Sequence, residues 1–273
     1  MKYRQLGSTD LRHFKVIIRL FIAIIMIRGS NPVYAAGPVR QYYRLSVYHF
    51  KDSEQEKILD QYLSGALLPA LHRMHIVSAG VFKALSNDTA SDKKIYVFIP
   101  FNSAGEALKL NDDLQKDKNY QAAGQEFINA VYSTPPYTRI ETIILYAFPL
   151  APRLQLPGLK SAKDQRVYEL RSYESATEEM FQNKVKMFND GDEIGLFKRL
   201  GFNAVFYSAV IAGPRMPNLM YMTTFENMEE RENHWKAFSN DAQWKKLSGL
   251  PQYQHNVQHA DIIFLRPTDY SDI

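Results

Sequence analysis

YYRLSVYHF, residues 42–50, and VYELRSYE, residues 167–174, place the same skeleton, Tyr-x-Leu-x-x-Tyr, at two points of one 273-residue chain. At an offset of 125 residues the two stretches align. Two further blocks align at almost the same offset. Tyr96 of KIYVFIPF meets Tyr221 of NLMYMTTF, and LQKDKNY (114–120) meets FSNDAQW (238–244). Three blocks in the same order predict an internal repeat.

Each half shows the same order of predicted elements. In the second half, RVYELRSY, NAVFYSAVIAG, LMYMTTF and ADIIFLRP have the composition and alternation of strands. Helical spacing of apolar residues covers 177–201 and 227–248. The first half gives strands from residue 42, near Val77, near Ile95 and from residue 139, with helices over 53–73 and from 104 toward 131.

The order β-α-β-β-α-β is that of a ferredoxin-like unit, whose sheet carries helices on one face only. The open face needs a cover, and two units in one chain can cover each other. We therefore predict an α+β fold of two tandem ferredoxin-like repeats that form a pseudo-dimer of the dimeric α/β-barrel type. The boundaries are 36–150 for the first repeat, 151–165 for a proline-containing linker and 166–273 for the second.

The first 35 residues have the pattern of a signal peptide. A basic segment precedes the apolar run LFIAIIMI (20–27), and Val33 and Ala35 occupy the −3 and −1 positions of a cleavage site. The run is too short to span a bilayer. We expect a periplasmic or secreted protein with no stable membrane anchor in its mature form. The alternative is a mitochondrial transit peptide.

The charge of the mature part is nearly balanced. Residues 1–35 hold six of the 33 Lys and Arg residues and one of the 29 acidic residues, so the remainder carries 27 basic and 28 acidic residues. This balance gives no electrostatic reason to expect nucleic acid or an anionic membrane as a partner. The absence of cysteine excludes disulfides, thiolate metal sites, a cysteine nucleophile and a lipoprotein anchor.

Candidate ligand-binding residues lie on the first strand of the second half. Glu169, Arg171 and Tyr173 share one of its faces, because side chains alternate along a strand. Pointed into the barrel, this face could bind a carboxylate or a phenol. The alternative is an internal Glu169–Arg171 ion pair on a solvated sheet face. Tyr207 and His234 complete the predicted set, and the first half has Arg44, Ser46 and Tyr48 at the positions that match 169, 171 and 173.

Histidine placement gives weaker signals. His234 on the last helix could ligate a haem iron, but its neighbour Trp235 points about 100° away, which favours a position at the helix flank. The pairs His72/His75 and His255/His259 have helical metal-ligand spacing without an apparent third ligand. We predict no metal site and no cofactor, and we assign no catalytic residue. Glycine-rich nucleotide loops and serine-hydrolase motifs are absent from the sequence.

Four motifs of the second half resemble the NIPSNAP family: VYELRSYE, GDEIGLFKRLGFNAVFYSAVIAGP, HWKAFSNDAQWKKL and IIFLRPTDYS, in that order over residues 166–273. The first half is less similar and lacks the tryptophans of the second helix. The resemblance implies a dimeric α/β-barrel fold. Animal members are similar to mitochondrial proteins of organelle quality control and vesicle traffic. Barrels of this class include haem-degrading monooxygenases, chlorite dismutase-like enzymes and small-molecule binders.

Two functions compete at this level. The first is an exported NIPSNAP-type protein that binds a small apolar or aromatic ligand, or a protein partner, through its barrel, as a monomer closed internally or as a homodimer. The alternative is a cofactor-free or haem-dependent monooxygenase or isomerase acting on an aromatic substrate, with Arg171, Tyr173, Tyr207 and His234 as its candidate residues. We favour binding, because the sheets are rich in Tyr, Phe and Met and lack a recognisable catalytic set.

Overall fold

The structure, a computed structural model, describes residues 39–273. The predicted signal peptide and its cleavage site lie outside the described residues. None of the helices in the described part of the chain is both long and apolar enough to cross a lipid bilayer.

The strands are β1 (Tyr42–Phe50), β2 (Gly80–Ala84), β3 (Lys93–Phe101), β4 (Arg139–Ala147), β5 (Val167–Glu174), β6 (Phe206–Ala212), β7 (Asn218–Phe225) and β8 (His259–Pro267). They close into one barrel in the order β1-β3-β2-β8-β5-β7-β6-β4, with antiparallel pairing at each junction. Within each half the order is fourth, first, third, second. The halves meet where β2 pairs with β8 and β4 with β6. An α+β barrel is therefore confirmed.

The helices are α1 (Ser53–Tyr62), α2 (Leu68–Arg73), α3 (Ala104–Lys116), α4 (Lys118–Ala123), α5 (Gln125–Ile128), α6 (Glu178–Asn189), α7 (Glu193–Arg199), α8 (Met228–Asn240) and α9 (Ala242–Ser248). Four of them follow a strand and begin at a side-chain cap. Asp52, Ser103, Thr177 and Asn227 each accept a hydrogen bond from the backbone N–H three residues later. Such caps satisfy N–H groups that the first turn leaves free.

Several predicted helices are interrupted. The helix over 53–73 contains a π-helical segment, Leu63–Leu67, between α1 and α2. The segments over 104–131 and 227–248 break at Asp117 and Asp241, which cap the helices that follow. One strand was misplaced, because β2 begins at Gly80 and the side chain of Val77 is exposed.

The barrel interior is a packed aromatic core to which both halves contribute. Phe98 of β3 stacks on Phe206 of β6 with ring centroids 4.8 Å apart, and Tyr43 contacts both rings. Phe82 and Tyr168 form a second contact between the halves, at 4.8 Å. Two outer cores lie between the barrel wall and the helices, one in each half. Both faces of the strands are therefore largely covered.

Candidate functional site

The predicted trio on β5 faces the helices, and its predicted place in the barrel interior is wrong. Tyr168 and Leu170 line the interior core instead, because neighbours along a strand alternate between faces. Tyr173 packs in the outer core of the second half. The alternative is right about the Glu169–Arg171 ion pair and wrong about the solvated face, since Glu169 is 0% exposed and Arg171 is 9% exposed.

The trio belongs to a closed network of charges and aromatic rings. Glu169 accepts hydrogen bonds from Arg171 Nε at 2.5 Å, Arg231 Nε at 2.7 Å and Trp235 Nε1 at 2.9 Å. The Arg171 guanidinium donates to the Tyr173 hydroxyl at 2.8 Å and lies 3.6 Å from the centre of a Trp235 ring. Each polar group has a partner within the protein, so the network acts as a strut between β5 and α8 rather than as an open ligand site.

The local electrostatics favour the charged guanidinium. Burial alone would lower the pKa of Arg171, but Tyr221, Tyr173 and Glu169 outweigh it, so the pKa is raised. Burial raises the pKa of Tyr221 and of Tyr207 above the ordinary phenol value. These phenols therefore stay neutral at physiological pH.

Of the other two predicted residues, one lies beside this network and one does not. Tyr207 on β6 stacks on Tyr221, at 5.6 Å between ring centroids, and so borders the network. His234 is set apart from it: its ring packs edge-on against Phe202, and its Nδ1 lies 2.7 Å from the carbonyl oxygen of Glu230 one turn earlier. This contact fixes the N–H on Nδ1. The structure thus gathers four of the five predicted residues and leaves out His234.

An open cavity lies in the first half, at the positions that match the trio. It measures about 370 Å³ and separates the outer face of β1 and β3 from α3, α4 and α5. Its polar lining includes Arg44, Ser46, Tyr48, Tyr62, Asn111 and Tyr120, and its apolar lining includes Leu114 and Phe127. The volume lies within the roughly 300–1,000 Å³ usual for small-molecule sites.

Tyrosine hydroxyls line the inner side of this cavity. Tyr62 and Tyr120 share a hydrogen bond of 2.9 Å between their hydroxyls, and the Tyr62 ring stacks on Phe127 at 3.8 Å between centroids. Burial raises the pKa of Tyr48 to about 12 and also raises the pKa of Tyr62 and of Tyr120. The cavity therefore presents neutral phenols, which can donate hydrogen bonds to a ligand oxygen.

A cation lies at the rim of the same cavity. Arg44 donates from Nη1 to Asn111 Oδ1 at 3.0 Å and from Nε to Ser46 Oγ at 3.3 Å. Both partners are neutral amide or hydroxyl groups, so the guanidinium charge is uncompensated by these contacts. Because a guanidinium carries five N–H donors, it keeps donors for an anionic group.

The cavity is open in the first half and filled in the second because two positions differ between the matching helices α3 and α8. At the offset of 124 that aligns these helices, Trp235 of α8 matches Asn111 of α3, and Arg231 matches Ala107. In the second half the indole and the guanidinium fill the space over β5. In the first half the smaller side chains leave it open. The absence of the second half's tryptophans from the first half is the signal for this cavity in the sequence.

Comparison with known proteins identifies part of the chain. Residues 168–272 match the NIPSNAP family model, and the resemblance of the second half to this family is confirmed. None of the curated proteins compared with the chain matches its sequence.

Solved structures with a similar fold cover most of the chain. A candidate monooxygenase from Lactobacillus acidophilus NCFM is 11% identical, with a TM-score of 0.54 over 84% of this chain and 94% of that one. A candidate monooxygenase from Fusobacterium nucleatum is 7% identical, with a TM-score of 0.53 over 84% and 93%. A NIPSNAP family protein from Agrobacterium tumefaciens C58 is 17% identical over 43% of this chain and 98% of that one, with a TM-score of 0.35. At these identities the likeness of the first two structures shows the fold alone.

Proposed function

We propose that the protein binds a small aromatic molecule bearing a carboxylate or another anionic oxygen in the cavity of its first half. The observation that carries this proposal is the combination of aromatic walls, three neutral tyrosine hydroxyls and the Arg44 guanidinium around one 370 Å³ space. The aromatic body would pack against Phe127 and Tyr62, and the oxygen would meet Arg44. Charge-assisted hydrogen bonds of this kind are stronger than those between neutral groups.

We further propose that the two halves arose by duplication and then diverged. We take the halves to be tandem ferredoxin-like repeats, at 36–150 and 166–273, one of which kept an open pocket while the other filled its pocket with a strut. The mature protein would act in the periplasm or outside the cell after removal of residues 1–35.

The proposal can be tested by calorimetric titration of residues 36–273 with 2-naphthoate, and with 2-naphthol as the matched neutral probe. We expect saturable binding of 2-naphthoate. Arg44→Gln should weaken it about 10-fold or more, since a hydrogen bond to a charged group contributes roughly 1.5–3 kcal/mol. The same variant should change binding of 2-naphthol much less.

Asn111→Trp is the sharper variant, because it places the second half's own side chain in the first half's cavity. It should abolish binding of both probes while leaving the circular dichroism spectrum unchanged. Arg73→Gln, on an exposed arginine paired with Asp117, serves as the charge control and should bind as the parent protein does. Unchanged binding by folded Asn111→Trp protein would overturn the proposal.

The alternative of a monooxygenase- or isomerase-type enzyme stays a prediction. Its candidate residues on β5 and β6 are enclosed in the strut, and His234 is engaged with its own helix. A reaction on an aromatic substrate would instead have to use the phenols and the guanidinium of the first-half cavity. Turnover of a bound phenolic probe that is lost in Tyr62→Phe would favour the enzyme over the binder.

A further inference from the structure

The barrel has a polar mouth at one end. There the last residues of β1 and β5 meet the first residues of β3, β4, β7 and β8, and the loop between β6 and β7 lies alongside. This end holds a cavity of about 190 Å³. Its polar lining includes His49, Lys94, Glu141, Ser172, Arg215, Asn218 and Asp261, and its apolar lining includes Val47, Ile143, Met220 and Ile263.

Two deeply buried polar atoms of this lining have no hydrogen-bond partner among the residues that the structure describes: His49 Nε2 and Asn218 Oδ1. His49 is 2% exposed and Asn218 is 3% exposed. Buried polar atoms in proteins are nearly always paired, and each exception calls for an explanation. Since both residues line the cavity, a ligand in the cavity would supply the missing partners.

Both atoms are hydrogen-bond acceptors. The Asn218 amide nitrogen donates to Ser172 Oγ at 2.8 Å, which leaves Oδ1 free. His49 Nδ1 lies 2.8 Å from a carboxylate oxygen of Asp92, so in the neutral ring Nδ1 carries the hydrogen and Nε2 offers a lone pair. In that tautomer Nε2 and Glu141 Oε1, 3.2 Å apart, are two acceptors that repel each other, so a donor placed between them would pair with both. The mouth thus presents acceptors, and it requires a ligand that donates several hydrogen bonds, as an ammonium group does.

Cationic side chains line the same cavity. Arg215 pairs with Asp261 and with Glu174, Arg139 pairs with Glu141, and Lys94 Nζ lies 3.7 Å from Asp92. Lys94 is held only by this long contact among the described residues, so its ammonium group can turn to a ligand carboxylate. The acceptors deep in the cavity suit an ammonium group, and the Lys94 ammonium suits a carboxylate. The cavity therefore suits a ligand that carries both groups.

A metal ion is a poorer match for this end of the barrel. Glu174, His259 and Asp261 bring possible ligand atoms within 4.8 Å of one another. However, the Arg215 guanidinium forms ion pairs with both carboxylates and offsets one of their two negative charges. A divalent cation would have to displace it.

We propose that the barrel mouth binds a small zwitterion, an α-amino acid with an aliphatic side chain. Its ammonium group would donate to Asn218 Oδ1, His49 Nε2 and Glu141, its carboxylate would face Lys94, and its side chain would contact the apolar wall. The cavity has room for about six water molecules at ~30 Å³ each, which suits a branched-chain amino acid. This site is separate from the first-half cavity and does not depend on the function proposed there.

The test is calorimetric titration of residues 36–273 with three matched probes: L-leucine, 3-methylbutylamine, which lacks the carboxylate, and 4-methylpentanoate, which lacks the ammonium group. We expect saturable binding of leucine, binding of the amine about 10-fold weaker, and the weakest binding for the acid. Lys94→Met should reduce leucine affinity to that of the amine and leave the amine unaffected.

Asn218→Leu should abolish binding of leucine and of the amine, and Asn218→Asp, which keeps an acceptor oxygen, should retain both. Asn111→Trp, in the first-half cavity, should bind leucine as the parent protein does. The inference would be overturned by no saturable heat with leucine, by equal affinity for leucine and 4-methylpentanoate, or by unchanged leucine binding in folded Lys94→Met protein. Loss of binding only in Asn111→Trp would move the ligand to the other cavity and equally overturn it.

Discussion

Glu169 places one carboxylate, with no solvent exposure, between two guanidinium groups and an indole N–H. Replacing it with Gln keeps its shape but removes the charge that compensates Arg171 and Arg231. Loss of one partner from a buried ion pair costs about 3–5 kcal/mol. We expect Glu169→Gln to lower the free energy of unfolding by that amount, measured by urea denaturation followed by tryptophan fluorescence.

Glu174→Gln is the matched control, because Glu174 ends the same strand and pairs with Arg215 at the surface. Partly exposed pairs contribute about 0–1 kcal/mol, so this variant should be nearly as stable as the parent protein. Equal losses in the two variants would mean that the network around Glu169 is not the strut described here.

The sequence predicted correctly that Glu169, Arg171 and Tyr173 share a face, since strand alternation requires it. It could not tell which face points inward. In a barrel covered by helices both faces of β5 are buried, so hydrophobicity does not distinguish them. The open cavity depends on Asn111 standing where α8 has Trp235. The sequence alone does not show this cavity, because it depends on how α3 and α8 pack over their strands.

Among the elements, the linker between the halves has a carboxylate partner just before α8 that accepts hydrogen bonds from two of its backbone N–H groups. Glu226, just before α8, accepts hydrogen bonds from the backbone N–H groups of Lys160 and Ser161 at 2.7–3.0 Å. The Ser161 hydroxyl and then these N–H groups favour the charged carboxylate and lower the pKa of Glu226 from 4.5 to about 2. This contact ties the proline-containing linker to the second half, and Leu154 of the same linker donates from its backbone N–H to Gln41 Oε1 of the first half.

The direction of this shift sets a pH dependence. A carboxyl group whose pKa is lower in the folded state stabilises the protein above its unfolded pKa, and loses that contribution as the pH falls through the folded value. We expect Glu226→Gln to be less stable than the parent protein from pH 7 to about 5, with the difference vanishing between pH 4.5 and about 2. Thermal unfolding across this range measures it.

Glu229→Gln removes the same charge from the exposed first turn of α8 without touching the linker, and it serves as the control. Its difference from the parent protein should stay small throughout. If Glu226→Gln differed from the parent by a constant amount down to pH 2, the linker contact would not be the source of the effect.

At the scale of the whole molecule, the two strand pairings that join the halves, called seams here, are short. The β2–β8 seam registers three residue pairs and the β4–β6 seam four, with an irregularity between Ile144 and Leu145. The pairing of β1 with β3 inside the first half registers nine. The shared aromatic interior therefore adds to the cohesion of the halves, together with the C-terminal residues, which hydrogen-bond to Ala79 and Val81 of the first half.

Phe98 tests this conclusion, because its ring belongs to the first half and stacks on Phe206 of the second. Truncating a buried Phe to Ala costs about 3–5 kcal/mol. Tryptophan fluorescence reports on the second half, because Trp235 and Trp244 both lie there, and amide exchange in β1 reports on the first half. If the interior joins the halves into one cooperative unit, Phe98→Ala should lower the urea midpoint by the same amount with both probes. Leu108→Ala, at an exposed site of α3, should change neither. A lower urea midpoint in β1 with an unchanged tryptophan transition would show that the halves unfold independently.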